Sequence, residues 1–490
     1  MTLASKNSPQ VFLVLLMAAS VVGCWLMPTS GARAAEEPAA TPDQTALVKP
    51  ADWLKAQTAP DFAAGHTLAP LTRWGWAMSF DTAKELADRW GYAVEFSGYV
   101  TEAVADDALA KPDSRNGQVL ALVAADPEKY KLGVLLHRAF PAEPPPEAYL
   151  RDAEGNFITD KNDRKQWSPE MPEAFVQGAA ELSASGLRKL RQRVPVTIIQ
   201  NGGEYGLNVL GFVQPFFEKD PSVVAAKGDL SWYNYLSRQK AREQKAVYDA
   251  VAAACPDRLL YVFYPCGGNT HRRGPSENYS YGWGWDYSYM RACADIATNE
   301  YYYHHFNSGW LGGDNMLTQC LAAKGYELKL GMKNTYDYVC AGWEQTDPPP
   351  VWDATQPLDN NAKAFGDLRL YEGFLKCLYT SGMIGGVAGY FSYPKGGFDA
   401  PFAPDKPPHF LMQMVVFSRV HALFSHQEAF LRAGELLPGP NKHVYIPDQF
   451  AYEFPTGNPN LRVLARALPD QPRWLITAWA ADGVEGPATV

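Results

Sequence analysis

The chain has 490 residues, of which 47% are hydrophobic and 20% are charged, an ordinary globular composition that can build a large core. The net charge is −9 at pH 7 and the sequence contains no long basic run, which disfavours nucleic-acid binding. Aromatic residues make up 13% of the chain, a fraction that suits both barrel cores and sugar-binding surfaces.

The first residues are typical of an export signal. Lys6 precedes an apolar run from Val11 to Val22, which is too short to span a membrane and fits the hydrophobic part of a signal peptide. Two processing routes stay open: cleavage after Ala34, which makes residues 1–34 the signal peptide, or lipidation of Cys24 as a lipid anchor. We expect an exported protein, periplasmic, secreted or lipid-anchored. No later apolar stretch is long enough for a membrane span.

Residues 35–68 are rich in Ala, Pro and Thr and are predicted to be a leader or linker. From residue 71 onward, short apolar strands alternate with amphipathic helices, which predicts βαβ units and parallel strands. The predicted strands are Arg73–Phe80, Tyr92–Phe96, Lys131–Leu136, Val196–Gln200, Leu259–Tyr264, Ala292–Thr298, Tyr336–Gly342 and Ile384–Phe391. Eight such units predict an α/β fold, a (β/α)8 TIM barrel over residues 69–430. A doubly wound open sheet is the alternative.

Helical periodicity separates these strands and then ends. The predicted helices are Asp81–Trp90, Pro172–Gln192, Ser231–Ala254, Asp314–Leu328, Lys363–Ser381 and Pro408–His426. After them come short alternating runs, HVYIP, FAYEF, LRVLARAL and RWLITAWA, separated by turn residues. This pattern predicts a small antiparallel β domain over residues 431–490.

In such barrels the active site lies at the C-terminal ends of the strands. The fourth strand runs into the segment IIQNGGEYG, in which two glycines present Glu204 beside Tyr205. This segment resembles the strand-four signature of clan A glycoside hydrolases, the superfamily that contains β-galactosidases and agarases. The resemblance implies that Glu204 is the catalytic acid/base and that Asn201 binds a sugar hydroxyl. In the family, Asn and Glu are adjacent, whereas here Gly202 and Gly203 separate them.

The same resemblance implies a glutamate nucleophile at the end of the seventh strand. Glu344 stands there beside Trp343. Glu300, within the segment TNEYYYHH after the sixth predicted strand, is the alternative nucleophile or a sugar-binding residue. One carboxyl would protonate the glycosidic oxygen while the other attacks the anomeric carbon, and a retaining pair stands roughly 5–5.5 Å apart.

Other strand ends carry residues suited to sugar binding. Aromatic rings and polar groups in these positions predict substrate contacts by Trp76, Tyr302, His271 and Trp285. Glu95, at the end of the second predicted strand, either binds hydroxyls or forms a salt bridge. We expect no metal and no cofactor, because paired carboxylates hydrolyse glycosides without them and no H-E-x-x-H, P-loop or dinucleotide motif occurs. The chain also lacks any C-x-x-C pair, and the pairing of its seven cysteines stays open.

These observations predict a glycoside hydrolase acting on a β-linked polysaccharide or oligosaccharide, guessed to be a galactan, by a retaining two-carboxylate mechanism. The only partner expected is the carbohydrate substrate. One alternative is a non-catalytic glycan-binding lipoprotein on the same scaffold, favoured by the altered spacing before Glu204. Another is an α-glycosidase that uses Asp286 or Asp295.

Overall fold

Eight parallel strands in two sheets form the centre of this protein. The computed structural model describes residues 47–74, 78–136, 139–202, 207, 210–263, 285–301, 313–341, 368–389, 397–444, 446, 448–458 and 461–480. The strands are β1 (Thr72–Arg73), β2 (Val94–Tyr99), β3 (Leu132–Leu136), β4 (Ile198–Asn201), β5 (Leu260–Phe263), β6 (Glu300–Tyr301), β7 (Thr335–Cys340) and β8 (Met383–Gly389). One sheet has the order β2-β3-β4-β5 and the other β1-β8-β7-β6, with every pairing parallel. The predicted α/β class with parallel strands is confirmed.

Backbone contacts connect the sheets at both edges. Leu71, just before β1, forms a parallel bridge with Tyr92, just before β2. At the other edge, the Asp295 backbone N–H donates to the Tyr261 carbonyl of β5 at 3.0 Å. Within each sheet, neighbouring strands pair in parallel, and in the second sheet β8 pairs with β1 as well as with β7.

Helices follow most of the strands. They are α1 (Pro50–Ala56), α2 (Phe80–Arg89), α3 (Glu102–Ala110), α4 (Arg115–Ala125), α5 (Glu173–Arg191), α6 (Leu210–Phe217), α7 (Pro221–Lys227), α8 (Trp232–Ala254), α9 (Tyr287–Met290), α10 (Gly313–Lys329), α11 (Leu368–Ser381), α12 (His409–Ser425) and α13 (Glu428–Arg432). A short 3-10 helix spans Pro146–Ala148. Several helices begin at an N-cap whose side chain accepts a backbone N–H of the first turn, as Ser114 and Ser231 do, which satisfies a donor that has no partner within the helix.

Two predicted strands were misplaced. The first was predicted over Arg73–Phe80, but β1 ends at Arg73 and α2 begins at Phe80, because Ser79 caps it by accepting the Thr82 N–H. The sixth was predicted over Ala292–Thr298, but β6 begins at Glu300 and is described as Glu300–Tyr301. Residues 291–296 turn instead, and the Asp295 carboxylate there accepts the backbone N–H of Tyr261.

The core is layered around the sheets. One face of the strands carries a cluster that includes Ala93, Ile198, Val262, Tyr336 and Val387, which come from five different strands or strand ends. We call this the inner face. The opposite face packs against the helices, with β2, β3 and β4 against α5 and α8, and β7 and β8 against α10, α11 and α12.

A separate antiparallel sheet lies near the C-terminus. It consists of β9 (Glu435–Leu436), β10 (Leu461–Ala467) and β11 (Trp474–Ala480), in the order β11-β10-β9, and agrees with the predicted antiparallel structure there. Near the predicted runs HVYIP and FAYEF, the described residues form an isolated antiparallel bridge between Lys442, just before HVYIP, and Phe450. The sheet packs on α11, where Trp479 contacts Phe374 at a ring distance of 5.9 Å. Residues 46–490 form one compact unit, and the predicted boundary at residue 431 stays a prediction.

Two further properties of the described residues concern membrane spanning and the state of the cysteines. Within the described ranges, no helix combines the length and the apolar character needed to cross a membrane. Four cysteines, Cys255, Cys293, Cys320 and Cys377, are buried and free, which agrees with packing as small apolar side chains.

Candidate functional site

Three of the ten predicted site residues lie in the described part of the chain: Asn201, Glu300 and Trp285. The other seven lie outside it: Glu204, Glu344, Tyr205, Trp76, Tyr302, His271 and Trp343. The described residues therefore define the strand ends from which the proposed catalytic loops emerge.

Asn201 is the last residue of β4 and is fully buried. Its Nδ2 donates to Oε1 of Gln244 on α8 at 2.9 Å and to the Tyr261 hydroxyl on β5 at 2.8 Å. The backbone N–H of the next residue, Gly202, donates to the Leu136 carbonyl of β3 at 3.1 Å. Asn201 thus ties the end of β4 to α8 and β5. Its contact with a sugar hydroxyl stays a prediction.

Glu300 opens β6 and is only 4% exposed. Its neighbour Asn299 donates from Nδ2 to Glu327 on α10 at 2.7 Å, and Tyr301 donates from its hydroxyl to the Cys320 carbonyl of α10 at 3.5 Å. Because side chains alternate along a strand, Glu300 points away from α10, toward the inner face. Its register partner is Tyr338 of β7, which belongs to the inner-face cluster.

A buried polar network lies behind β6 and β7. Asp337 accepts the backbone N–H of Asn299 at 2.9 Å and its Nδ2 at 3.2 Å, and it accepts the Thr335 hydroxyl at 2.6 Å. Lys324 lies 3.7 Å from Glu327. Burial and the charge of Glu327 raise the pKa of Asp337 to about 7, so two carboxyl groups and one ammonium can share the site with little net charge.

Trp285 is buried in the core between β5 and α8. Its ring lies 5.4 Å from that of Phe263, and Lys240 Nζ stands 4.3 Å from its centroid. The next residue, Asp286, caps α9 and accepts hydroxyls from Tyr233 and Tyr326. Asp295 binds Arg258 at 2.7 Å. In the described structure these residues have packing and capping roles, and a sugar contact by Trp285 stays a prediction.

A charged group that the sequence only partly indicated joins the end of β1 to the start of β2. Glu95 was predicted at the end of the second strand but is the second residue of β2, which continues to Tyr99. Arg73 Nε stands 3.2 Å from Glu95 Oε2, which selects the salt bridge between the two roles considered for Glu95. Its carboxylate also accepts the Arg73 backbone N–H. Arg115 of α4 donates to the Glu95 carbonyl. Burial raises the pKa of Glu95 to about 7, although Arg73 and Arg115 lower it.

An aromatic pair borders the same inner face. Trp74, directly after β1, meets Tyr338 edge-on with ring centroids 5.4 Å apart. From β4, Gln200 donates to the Arg73 carbonyl at 3.2 Å. Tyr338, Gln200 and Arg115 were not predicted as site residues from the sequence. The alternation within YDYVC was the available indication for Tyr338, because it places Tyr336 and Tyr338 on one face.

No cluster of three His, Cys, Asp or Glu side chains within the described ranges is arranged to hold a metal ion. The arrangement that the described residues do offer is a set of buried carboxyl groups, amides and aromatic rings at strand ends. Such groups can hydrogen-bond hydroxyl-rich ligands and transfer protons.

Comparisons with known proteins do not identify a family. No family model matches the sequence, and no curated protein matches it. Among solved structures, the chain is similar to the glycoside hydrolase domain of PgaB (BpsB) from Bordetella bronchiseptica, with 13% identity and a TM-score of 0.33, over 59% of this chain and 74% of that one. It is also similar to the catalytic domain of beta-amylase from Paenibacillus polymyxa, with 8% identity and a TM-score of 0.33, over 62% and 86%. Similarities at this TM-score carry no argument for a shared fold or activity.

Proposed function

We propose that this chain is an exported glycoside hydrolase on a closed (β/α)8 barrel. The observation that supports the proposal is the pair of four-stranded parallel sheets, β2-β3-β4-β5 and β1-β8-β7-β6, whose edges contact each other near β1 and β2 and near β5. The Leu71–Tyr92 bridge and the Asp295–Tyr261 hydrogen bond join the sheets at these edges. The hydrogen bond from Gln200 of β4 to the Arg73 carbonyl of β1 also supports closure, because these strands are not neighbours in either sheet.

A closed barrel of this kind brings the residues after each strand to one rim, where the active site lies. Glu204 follows the end of β4 at Asn201 by three residues (204 − 201). Glu344 follows the end of β7 at Cys340 by four (344 − 340). We assign Glu204 as acid/base and Glu344 as nucleophile.

The proposed reaction is retaining hydrolysis. The Glu204 carboxyl group protonates the glycosidic oxygen while the Glu344 carboxylate attacks the anomeric carbon, which breaks the glycosidic bond and forms a glycosyl-enzyme. Water, deprotonated by Glu204, then cleaves that ester and restores both carboxyl groups. A β-linked galactan is the proposed substrate. Five residues at the rim would bind it: Tyr205, Trp76, Tyr302, His271 and Trp343.

The test is a substrate panel with matched variants. Agar, carrageenan, porphyran and β-galactoside reporters are incubated with the unmodified protein, Glu204→Gln and Glu154→Gln. Glu154 is an exposed residue of the loop after β3, so its variant is the control. We expect the unmodified protein and the control to release reducing ends, and Glu204→Gln to lose at least about 100-fold in kcat/KM, the lower end of a general acid's contribution.

Two outcomes would contradict the proposal. Unchanged turnover by Glu204→Gln would remove Glu204 from the mechanism. Tight binding of an oligosaccharide without any turnover by the unmodified protein would replace the enzyme with the glycan-binding protein considered above. Localisation is checked by fractionation, in which the proposal expects the processed chain outside the cytoplasm.

A further inference from the structure

We propose that Asn299 is a positioning residue, which holds Glu300 on the inner face of β6 so that the Glu300 carboxylate binds a hydroxyl of the substrate. This inference rests on the proposed function for its ligand, but the positioning of Glu300 stands on described residues alone.

Asn299 is held by hydrogen bonds to two neighbouring elements. Its Nδ2 donates to Glu327 of α10 at 2.7 Å and to Asp337 of β7 at 3.2 Å, while its backbone N–H also donates to Asp337 at 2.9 Å. All three residues are buried. Charge-assisted hydrogen bonds to two different elements fix both the position and the rotation of the chain at this point.

The anchoring of Asn299 also orients Glu300. With Asn299 turned to α10, strand alternation directs the next side chain to the inner face. Tyr301 reinforces this orientation through its hydrogen bond to the Cys320 carbonyl. Register places Glu300 beside Tyr338, whose ring contacts Trp74. A carboxylate beside two aromatic rings is suited to a sugar, because the rings cover C–H faces while the carboxylate accepts hydroxyl protons.

The end of β4 repeats this construction. There Asn201 donates from Nδ2 to Gln244 of α8, the helix before β5, and to Tyr261 of β5. Asn299 likewise donates to α10, the helix before β7, and to β7 itself. Both asparagines precede a glutamate assigned to the site, Glu204 and Glu300. Asn201 is the last residue of β4 and stands three residues before Glu204, while Asn299 directly precedes β6 and Glu300. An asparagine fixed to a helix and to the neighbouring strand before each glutamate favours a common role in presenting a carboxylate.

The inference defines the substrate class at this position. A carboxylate accepts hydrogen bonds from hydroxyls and repels sulfate and carboxylate groups. We therefore expect the sugar unit next to Glu300 to be neutral. Unsulfated oligosaccharides should bind with higher affinity than sulfated ones of the same length. In Glu300→Gln, the ratio between the two affinities should be smaller than in the unmodified protein.

The test combines Glu300→Gln, Asn299→Ala and the double variant. The control is Thr477→Val, which removes a buried hydroxyl pair with Thr380 in the C-terminal sheet. We expect Glu300→Gln and Asn299→Ala each to lower kcat/KM roughly 10- to 100-fold, the loss of one charged hydrogen bond, and the double variant to be no worse than Glu300→Gln. Thr477→Val should leave kcat/KM unchanged. If the loss of kcat/KM in the double variant equalled the product of the two single-variant losses, Asn299 would act independently of Glu300, and the positioning role would be overturned.

A second measurement is independent of activity. The Glu300 carboxyl group is titrated by carbon NMR in the unmodified protein, in Asn299→Ala and in Thr477→Val. We expect its pKa to move by at least about half a unit in Asn299→Ala alone, because its surroundings change when the anchor is lost. An unmoved pKa would overturn the positioning role. If the unmodified protein neither binds nor cleaves any glycan, the proposed function fails, while this titration still decides the role of Asn299.

Discussion

Three acidic side chains act as acceptors for backbone N–H groups where strands end or join. Glu95 accepts the N–H of Arg73, Asp295 that of Tyr261, and Asp337 that of Asn299. Buried backbone donors need a partner, and short strands such as β1 and β6 provide few backbone carbonyls. Carboxylates therefore complete the hydrogen bonding at positions where the strand ladders are interrupted.

At Glu95 this role predicts a pH-dependent stability. Burial raises its pKa to about 7, whereas an unfolded chain has a Glu pKa of about 4.3. The folded protein therefore holds the proton more tightly, and this contribution to stability is lost as the pH rises from about 4 through 7. Glu95→Gln should make the unfolding free energy fall less steeply with pH, by up to about 1.4 kcal/mol per pH unit. Urea denaturation of both proteins at pH 5, 6, 7 and 8 measures how the unfolding free energy changes with pH. A variant whose slope matches the unmodified protein would contradict the assignment.

At the scale of elements, the sequence predicted strands best where apolar runs are continuous. Val196–Gln200 and Leu259–Tyr264 fall within two residues of β4 and β5 at either end. By contrast, β1 has two residues, too few for a periodic pattern, and the segment before β6 turns where Asp295 accepts the Tyr261 N–H. Helices α3 and α4 were not predicted, because the short, Ala-rich segments EAVADDALA and RNGQVLALVAA show weak amphipathic periodicity.

The features of the candidate site were likewise predicted only in part from the sequence. The sequence located the ends of β4, β5 and β7 to within two residues, and the role of Glu300 in the site stays a prediction. It did not reveal that Asn201 faces α8, because the bond to Gln244 joins residues 43 positions apart. Nor did it predict the burial of Trp285 against Lys240, since an aromatic run of the kind YSYGWGW is equally typical of a core and of a sugar-binding surface. Long-range packing decides such cases.

Two helical glycines, Gly373 on α11 and Gly178 on α5, provide a matched pair of tests. A Cβ on Gly373 would lie 2.1 Å from Cδ1 of the buried Trp479 ring, so Gly373→Ala should destabilise by about 1–2 kcal/mol after its gain in helix propensity. On α5, a Cβ on Gly178 would meet nothing within 4 Å, so Gly178→Ala should stabilise by about 0.5–1 kcal/mol. Both are measured by denaturant unfolding. Equal stabilisation by the two variants would contradict the packing of β11 on α11.

At the scale of the molecule, Arg466 links the C-terminal sheet to the helices. Its buried guanidinium donates to the carbonyls of Phe430, Thr380 and Gly434 at 2.7–3.1 Å. Arg466→Met would leave these three carbonyls without that donor and should lower the unfolding free energy by about 3 kcal/mol or more. We expect near- and far-UV circular dichroism to shift together in a single thermal transition. A separate early transition would instead show that the sheet unfolds on its own.

The ring order of the strands and the carboxylates beyond them form the central claim. If β1 to β8 close into a barrel, the loops after β4 and β7 share one rim, and the two assigned glutamates can act on one glycosidic bond. The most direct test is the separation of the Glu204 and Glu344 carboxyl groups in a crystal structure with a bound oligosaccharide. The account predicts roughly 5–5.5 Å, the spacing of a retaining pair. A separation of roughly 6.5–9.5 Å would contradict the retaining mechanism, and one beyond about 10 Å would contradict the pairing itself.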